Sequence, residues 1–316
     1  MTRLSSILAV CMWGTIGMWS AATAHAQTAI TQPTTITSSG SFLVTQDIVT
    51  TFCSQVIVID ADFVTLDLGG HTLECIAGNP NSRVISINGR TGIRIRNGHL
   101  RGADFGIRYI AGSANDNGVF IDIRNVNIRE AIMWGIHIEP APFANTLDIV
   151  NIRDNHIVGP GFGIHALAAT GQIVDNIVST EDLALDVANY RGLLVADNTL
   201  RTHARAVQAQ NAANIMFREN TVRSQGNTGI ELVNTLGSFI YRNYINGLQY
   251  GITLDANSSA NAIDWNHFPG ALVGVEIAVG ASDNLLSNNR SLVYWSGVGV
   301  LGGSGTYHDA GGNIVE

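Results

Sequence analysis

The stretch Asp-Asn-His-Ile-Val (DNHIV) at residues 154–158 returns in modified form four more times along the chain. The later copies are DNIVS (175–179), DNTLR (197–201), ENTVR (219–223) and RNYIN (242–246). Each copy places an asparagine before a short apolar stretch, and successive copies start 21 to 23 residues apart. A nearly constant period of this length is typical of proteins that are built from stacked structural repeats.

A second phrase, Gly-Ile or its equivalent, runs in step with the first from Gly106 to Gly274. Segments such as GIHIE (135–139) and GITLD (251–255) alternate between apolar and polar residues as strands do, and no stretch shows sustained helical periodicity. Three short strands per repeat, joined by tight turns, describe a parallel β-helix. We therefore predict an all-β protein, with a single solenoid domain over residues 27–316, about ten coils and three short sheets.

The repeated asparagines predict a ladder along one corner of the solenoid. We expect each to adopt the left-handed backbone conformation of a sharp turn and to hydrogen-bond to its neighbours in the coils above and below. His71 falls in the same slot of the first coil, whereas Asn97 and Asn125 come one residue early. The predicted ladder consists of Asn155, Asn176, Asn198, Asn220, Asn243, Asn266 and Asn289.

The first 26 residues have the pattern of a signal peptide. Arg3 supplies the positive start, residues 4–21 are mostly apolar, and Ala-His-Ala at 24–26 fits a small-x-small cleavage site. We expect the mature chain to begin near Gln27 and to be secreted or periplasmic, with an uncleaved anchor as the alternative. After residue 27 no apolar run is long enough to span a bilayer.

The charges exclude some chemistry and favour one class of partner. The net charge is −8, and all 17 basic residues are arginines, so a lysine base or a lysine Schiff base is excluded. Residues 83–129 hold eight arginines against three aspartates, which favours an anionic substrate near the early coils. We expect a polysaccharide partner and no nucleic acid.

The segments VTLDLGGHTLEC (64–75) and IRIRNGHLRG (93–102), together with the asparagine ladder, resemble the opening coils of the right-handed parallel β-helix proteins of the pectin-lyase-like superfamily. The resemblance covers roughly residues 30–300. It implies a right-handed solenoid whose substrates lie along one parallel sheet, here the Gly-Ile strands. In this fold Cys53 and Cys75 lie one coil apart, and we predict that they form a disulfide.

The residue after each Gly-Ile points away from the core and forms a column in consecutive coils. Its first members, the candidate catalytic residues, combine a cation, two imidazoles and a carboxylate, a set suited to proton transfer. Two long loops, YIAGSANDN (109–117) and EPAPFAN (139–145), follow the first two members and are expected to wall a groove. The candidate catalytic residues are Arg108, His137, His165 and Asp186, and the candidate substrate-binding residues are Tyr109, Glu139, Gln208, Gln210 and Glu231.

Three chemistries fit this column. The first is β-elimination on a uronate-containing polysaccharide, in which Arg108 binds the carboxylate and one histidine removes the proton, while the other histidine or Tyr109 protonates the leaving oxygen. Calcium is an optional cofactor, because the superfamily's lyases sometimes use it. The second is glycoside hydrolysis by Asp186 and Glu231, roughly 9.6 Å apart by strand spacing. The third is a metal site from His137, His165 and Asp186, which have suitable ligand types.

The alternative to an enzyme is a noncatalytic glycan-binding or structural β-helix at the surface or in the periplasm. A second row, from Gln172 to Leu285, is apolar in the later coils. If it points outward, it predicts self-association or a covering segment, for which the tail at 305–316 is the candidate; the alternative is that the late strands are irregular and these residues are half buried. Its apolar members of interest are Leu194, Met216, Phe239 and Leu285.

Overall fold

The computed structural model describes residues 27–111, 118–139, 148–167, 170–247, 249–292, 301–303 and 305–315, and the predicted signal peptide lies outside these ranges. The described chain is a parallel β-solenoid of about 11 turns without helices, which confirms the predicted fold and comes close to the predicted ten coils. Within these ranges no helix could span a membrane.

One face is a sheet of twelve parallel strands, each paired with the equivalent strand of the next turn. It contains the Gly-Ile segments, and we call it the twelve-stranded sheet. Its strands are Thr34–Ile36, Gln55–Ile59, Arg83–Asn88, Phe105–Ile110, Trp134–Glu139, Phe162–Leu167, Leu183–Ala188, Arg205–Ala213, Thr228–Leu236, Tyr250–Leu254, Val273–Ile277 and Leu301–Gly303.

The other two faces meet at the turn that contains Asn155 and its equivalents, which we call the Asn corner. The pre-corner strands are Thr28–Ile30, Gly40–Val44, Val64–Asp67, Ile149–Arg153, Thr170–Val174, Leu193–Ala196, Met216–Arg218, Phe239–Tyr241, Ala262–Asp264, Asn284–Ser287 and Tyr307–Asp309. The post-corner strands are Ile48–Thr50, Thr72–Cys75, His156–Val158, Ile177–Thr180, Thr199–Thr202, Thr221–Ser224, Tyr244–Asn246, His267–Phe268, Arg290–Ser291 and Ile314–Val315.

The three predicted faces are present, but two of them form one hydrogen-bonded sheet. The strands Ile93–Gly102 and Phe120–Arg129 run through the Asn corner without interruption and belong to both faces. They join the pre-corner and post-corner ladders into a single sheet of 23 strands.

The core is a set of apolar stacks along the solenoid axis. Ile123, Ile152 and Ile173 occupy equivalent positions in successive turns and are fully buried. Full burial of one such side chain contributes about 1.5–3 kcal/mol. Close packing also explains the Gly-Ile phrase, because a Cβ at Gly163 would lie 2.4 Å from Cγ1 of Val178 on the post-corner face. The core thereby turns the residue after each Gly-Ile toward solvent.

The seven predicted asparagines form an unbroken ladder, which Asn313 extends by one turn. Each side-chain amide donates to the Oδ1 of the next asparagine over 2.9–3.1 Å. The left-handed conformation, however, belongs to the residue before each asparagine, such as Asp154 and Asp197, both with φ of 57°. This finding corrects the expected geometry, since the ladder asparagine must turn its side chain inward to reach its neighbours.

The same register explains why Asn97 and Asn125 come one residue early. Both have positive φ and occupy the left-handed position, in line with Asp154. Gly98 and Val126 then hold the inward position that asparagine takes in later turns. In the first turns Cys53 and Cys75 form the predicted disulfide, which links two adjacent coils.

Candidate functional site

The predicted column is continuous on the twelve-stranded sheet. Arg108 pairs in register with His137, His137 with His165, and His165 with Asp186. Gln208 and Glu231 follow on the next two strands. Six residues from six successive turns therefore lie side by side on the outer side of the sheet, because the parallel register continues from turn to turn.

His165 and Asp186 form a direct contact between neighbouring strands. The Nδ1 atom of His165 lies 2.9 Å from a carboxylate oxygen of Asp186, and both side chains are largely buried. The amide nitrogen of Gln210 donates to the other carboxylate oxygen over 3.4 Å. Asp186 thus favours the His165 tautomer that carries its proton on Nδ1, which leaves Nε2 as a proton acceptor.

His137 packs flat against His165. Their ring centroids are 4.8 Å apart and their planes are inclined by 19°. Burial is the main cause that lowers the pKa of His137 to about 4, and the nearby His165 and Arg108 lower it further, while Asp186 acts in the opposite direction. At neutral pH His137 is therefore an uncharged imidazole, and it cannot supply a proton as an imidazolium.

Arg108 is held at the start of the column by an aromatic ring. Its guanidinium carbon lies 4.4 Å from the ring centroid of Phe105, in a cation–π contact. The Nε atom of Arg108 and the Nδ1 atom of His137 are buried and have no hydrogen-bond partner among the described residues. Burial, and secondarily the charge of Arg108, lowers the pKa of Arg83 on the preceding strand. The two turns that carry Arg83 and Arg108 thus concentrate positive charge. The Nε atom of Arg108 is a hydrogen-bond donor that no described residue satisfies.

An aromatic row that the sequence reasoning missed flanks the two histidines. Phe105, Trp134 and Phe162 occupy the same register position, two residues before Ile of each Gly-Ile pair. Trp134 stacks on Phe162 with ring centroids 4.4 Å apart, and it lies 5.5 Å from His137 and 5.0 Å from His165. The signal was present in the sequence, because an aromatic residue precedes the glycine in three successive repeats.

Tyr109 does not lie at the site, contrary to the sequence-based expectation. It is 1% exposed and its side chain belongs to the core. Strand alternation explains the placement, since Tyr109 directly follows the outward residue Arg108 and therefore points inward. Tyr109 cannot reach a substrate on the column, so it is not the proton donor to the leaving oxygen.

Glu139 adds a carboxylate to the histidine pair. Its Oε2 atom lies 3.7 Å from Nε2 of His137, and ligand atoms of His137, Glu139 and His165 all lie within 4.8 Å of one another. Two nitrogens bound to one zinc ion at about 2.0–2.1 Å each would have to be no more than about 4.2 Å apart. The limit of 4.8 Å covers all three pairs of ligand atoms in this cluster. The carboxylate of this possible metal site is Glu139, whereas the sequence predicted Asp186 as the third ligand.

The carboxylates proposed for glycoside hydrolysis lie apart and in different surroundings. Gln208 separates Asp186 from Glu231 in the register, and its amide donates to Glu231 over 2.9 Å. Arg205 forms an ion pair with the same carboxylate. Glu231 is therefore engaged by two side-chain donors of the protein.

The loop segments expected to wall the groove fall mostly outside the described residues, at 112–117 and 140–147. Of the two alternatives left open for the apolar row, the outward one holds: Met216 is 42%, Phe239 37% and Leu285 40% exposed, and Leu194 lies in the same register. The tail does not cover it. Tyr307–Asp309 pairs edge to edge with Asn284–Ser287 and so extends the pre-corner face by one strand.

A family model described as "Right handed beta helix region" matches residues 134–306, which is more than half of the chain. The chain belongs to this right-handed β-helix family. The match includes His137, His165 and Asp186, and it begins at Trp134. A search of curated proteins finds no match.

Among solved structures, this β-helix protein is similar to a crystal structure of a point mutant of the periplasmic alginate epimerase AlgG. The TM-score is 0.46 and the sequence identity 13%. The alignment covers 81% of this chain, which spans 66%, just under two thirds, of the other.

Proposed function

We propose that this protein is an exported lyase that cleaves a uronate-containing polysaccharide by β-elimination on the twelve-stranded sheet. The observation that carries the proposal is the contact between His165 and Asp186, placed one strand from His137 and two strands from Arg108. A predicted signal peptide and the Cys53–Cys75 disulfide support export.

In this mechanism Arg108 binds the carboxylate of the uronate residue. Its guanidinium neutralises the negative charge that develops when the proton beside that carboxylate is removed. The buried Nε atom without a protein partner is a donor that such a carboxylate would satisfy. Trp134 and Phe162, which are partly exposed, would pack against adjacent sugar rings, whereas Phe105 is buried beside Arg108.

His165 is the proposed base. Its Nε2 atom takes the C5 proton of the uronate, while Asp186 stabilises the imidazolium that forms. The electron pair of the broken C5–H bond forms a C4=C5 double bond, and the C4–O bond to the neighbouring sugar breaks. The leaving oxygen takes a proton from the His165 imidazolium or from water. The bonds and the proton balance without an external oxidant or reductant.

His137 serves as a neutral packing and hydrogen-bonding partner in this proposal. Because its pKa is near 4, it stays uncharged at neutral pH and does not repel the imidazolium that forms on His165. Stacking on His165 restricts that ring to one orientation. Its role is therefore to position the base.

The test is the ultraviolet absorbance of the unsaturated uronate that β-elimination produces. Purified protein is incubated with a panel of acidic polysaccharides, with added calcium and with EDTA. We expect absorbance to rise on one substrate, to disappear in His165→Ala and to persist in Thr253→Ala, a matched outward residue of the same column. A panel without any rise would exclude lyase activity on those substrates, and a His165→Ala variant of full activity would exclude the assigned base.

The second candidate is a noncatalytic glycan-binding module. The observation that favours it is the partly exposed, stacked pair of Trp134 and Phe162, since aromatic faces bind sugar rings without any chemistry. Binding of an acidic polysaccharide that produces no unsaturated product and no new reducing ends would support this candidate over the lyase.

A further inference from the structure

A recess lies at the Asn corner of the early turns, on a different face of the solenoid from the proposed lyase site. It has a volume of about 260 Å³, and none of the residues assigned to the proposed lyase site lines it. Its lining comes from the strands Ile93–Gly102, Phe120–Arg129 and His156–Val158 and from the turns beside them. We propose that this recess binds a single neutral sugar residue of a glycan chain.

Two polar rows form the walls of the recess. One row is His99, Asn127 and His156, which pair in register on consecutive post-corner strands. The opposite row holds the residues of the left-handed position and consists of Asn97, Asn125 and Asp154.

The floor of the recess is formed by the protein backbone. Gly98 and Val126 occupy the inward position between the rows and are buried. A Cβ at Gly98 would lie 2.3 Å from the Cβ of Leu68, so the chain at this position packs directly on the core. Side chains therefore rise only from the two walls, and the space between them stays open.

The walls offer hydrogen-bond donors and acceptors that the protein itself does not use. Within the described ranges the imidazoles of His99 and His156 make no side-chain hydrogen bond, although His99 lies near enough to the Asp47 carboxylate to interact with its charge. Asn127 accepts from Nε of Arg129 over 3.1 Å, which orients its amide and leaves its Nδ2 donor for a ligand. Asn125 donates to Oδ1 of Asn97 over 3.0 Å and keeps its own Oδ1 as an acceptor.

This combination matches hydroxyl groups better than an anion. Each hydroxyl carries one donor and two acceptor lone pairs, so it pairs with amides and imidazoles in either sense. Asp154 contributes a carboxylate to the wall, which accepts from a hydroxyl and repels a uronate. The recess is slightly smaller than the roughly 300–1,000 Å³ of pockets for drug-sized ligands, which suits one sugar ring.

The three turns that follow lack this chemistry. The outward row continues from His156 to Ile177, which is 49% exposed, and then to Thr199 and Thr221. The recess is therefore a local feature of three turns and not a general property of the corner. Because it lies on a different sheet from Arg108, its occupancy leaves the proposed lyase site open.

The experiment follows the histidine ring resonances of the full protein by NMR during titration with methyl glycosides of glucose, galactose, mannose and N-acetylglucosamine, with sodium galacturonate as the anionic comparison. Variants His99→Gln and His156→Gln assign the two signals. We expect saturable shifts of both signals with one neutral glycoside and a Kd on the order of 1 mM. Asn127→Ala should abolish the shifts, whereas Thr199→Ala, two turns further along the same row, should keep them.

Three results would overturn the proposal. The first is the absence of a shift in either histidine at glycoside concentrations about tenfold above that Kd. The second is an equal or stronger response to galacturonate, which would show an anion site. The third is binding that Asn127→Ala leaves intact in a protein with an unchanged circular dichroism spectrum. None of these results depends on lyase activity, which is measured separately.

Discussion

The imidazole of His165 is held at 2.9 Å by Asp186, a residue 21 positions later in the sequence and one turn away in the solenoid. Two largely buried side chains from adjacent strands thus form the pair that the proposed mechanism uses as the base and its orienting carboxylate. The two turns are stacked about 4.8 Å apart in parallel register, and this spacing brings the two side chains into contact.

Replacement of Asp186 by Asn should lower kcat of the proposed lyase by about 100-fold or more and change KM little. The amide keeps the size of the side chain but removes the charge that stabilises the imidazolium and selects the tautomer of His165. Steady-state kinetics on the substrate found in the absorbance assay measures both constants. Thr253→Ala is the control, and a kcat of Asp186→Asn close to that of the control would contradict the orienting role.

The folded protein should lose stability through His137 as the pH falls from 6.5 to about 4. Burial lowers the pKa of His137 in the folded state from 6.5 to about 4, so between these values the unfolded chain binds more protons than the folded one. The contribution is fully present above pH 6.5, and the total loss by pH 4 is on the order of 3 kcal/mol.

Urea unfolding at a series of pH values measures this loss. The His137→Gln variant should show a flatter decline than the wild type between pH 6.5 and 4, because the titrating group is absent. His203→Gln, which replaces an exposed histidine, should keep the wild-type slope. Identical slopes for the wild type and His137→Gln would show that His137 titrates normally.

Replacement of Trp134 by Ala should weaken polysaccharide binding about tenfold, whether or not the protein is catalytic. Trp134 stacks on Phe162 and contacts both histidines, so its removal takes away the middle of the aromatic row. Isothermal titration calorimetry with the bound polysaccharide measures the effect. Tyr250→Ala, further along the same row, should bind as the wild type does, and an equal loss in both variants would argue against a localised site.

Replacement of Asn198 by Ala should destabilise the protein by about 3 kcal/mol. Its amide donates to Asn220 and to the carbonyl oxygens of Ile173 and Ala196, and its Oδ1 accepts from the backbone N–H and the side chain of Asn176. The substitution removes all of these hydrogen bonds and leaves the buried backbone N–H of Asn176 without its acceptor. Urea unfolding gives the difference in free energy. Asn257→Ala removes an exposed asparagine from a turn and should change stability by less than about 0.5 kcal/mol. Similar losses in the two variants would contradict the structural importance of the ladder.

Removal of the disulfide in a Cys53→Ala/Cys75→Ala variant should destabilise the protein by about 3 kcal/mol, the chain-entropy value for a loop closed over 22 residues. The loss should be concentrated in the first turns. Hydrogen exchange measures it locally, and we expect faster exchange in residues 40–76 and little change beyond residue 200. Uniformly faster exchange along the whole solenoid would contradict a local clamp.

Much of the fold followed from local sequence. The recurring asparagine and Gly-Ile phrases were enough to predict the solenoid, the ladder and the outward column from Arg108 to Glu231, because phrases that recur once per turn place equivalent residues on the same face. The left-handed position was misassigned, since the sequence shows which residues recur at a corner but not which of two neighbours turns inward.

The sequence by itself determined that His137, His165 and Asp186 would occupy consecutive turns. Only the tertiary structure decided that Asp186 orients His165, that burial suppresses the charge of His137, and that Trp134 flanks both rings, because these properties depend on side-chain direction and on the packing around each group. Tyr109 illustrates the limit: it is adjacent to Arg108 in sequence, yet the alternation of the strand places it in the core. Periodicity specifies the turn and the face, whereas burial and contacts between turns specify the chemistry.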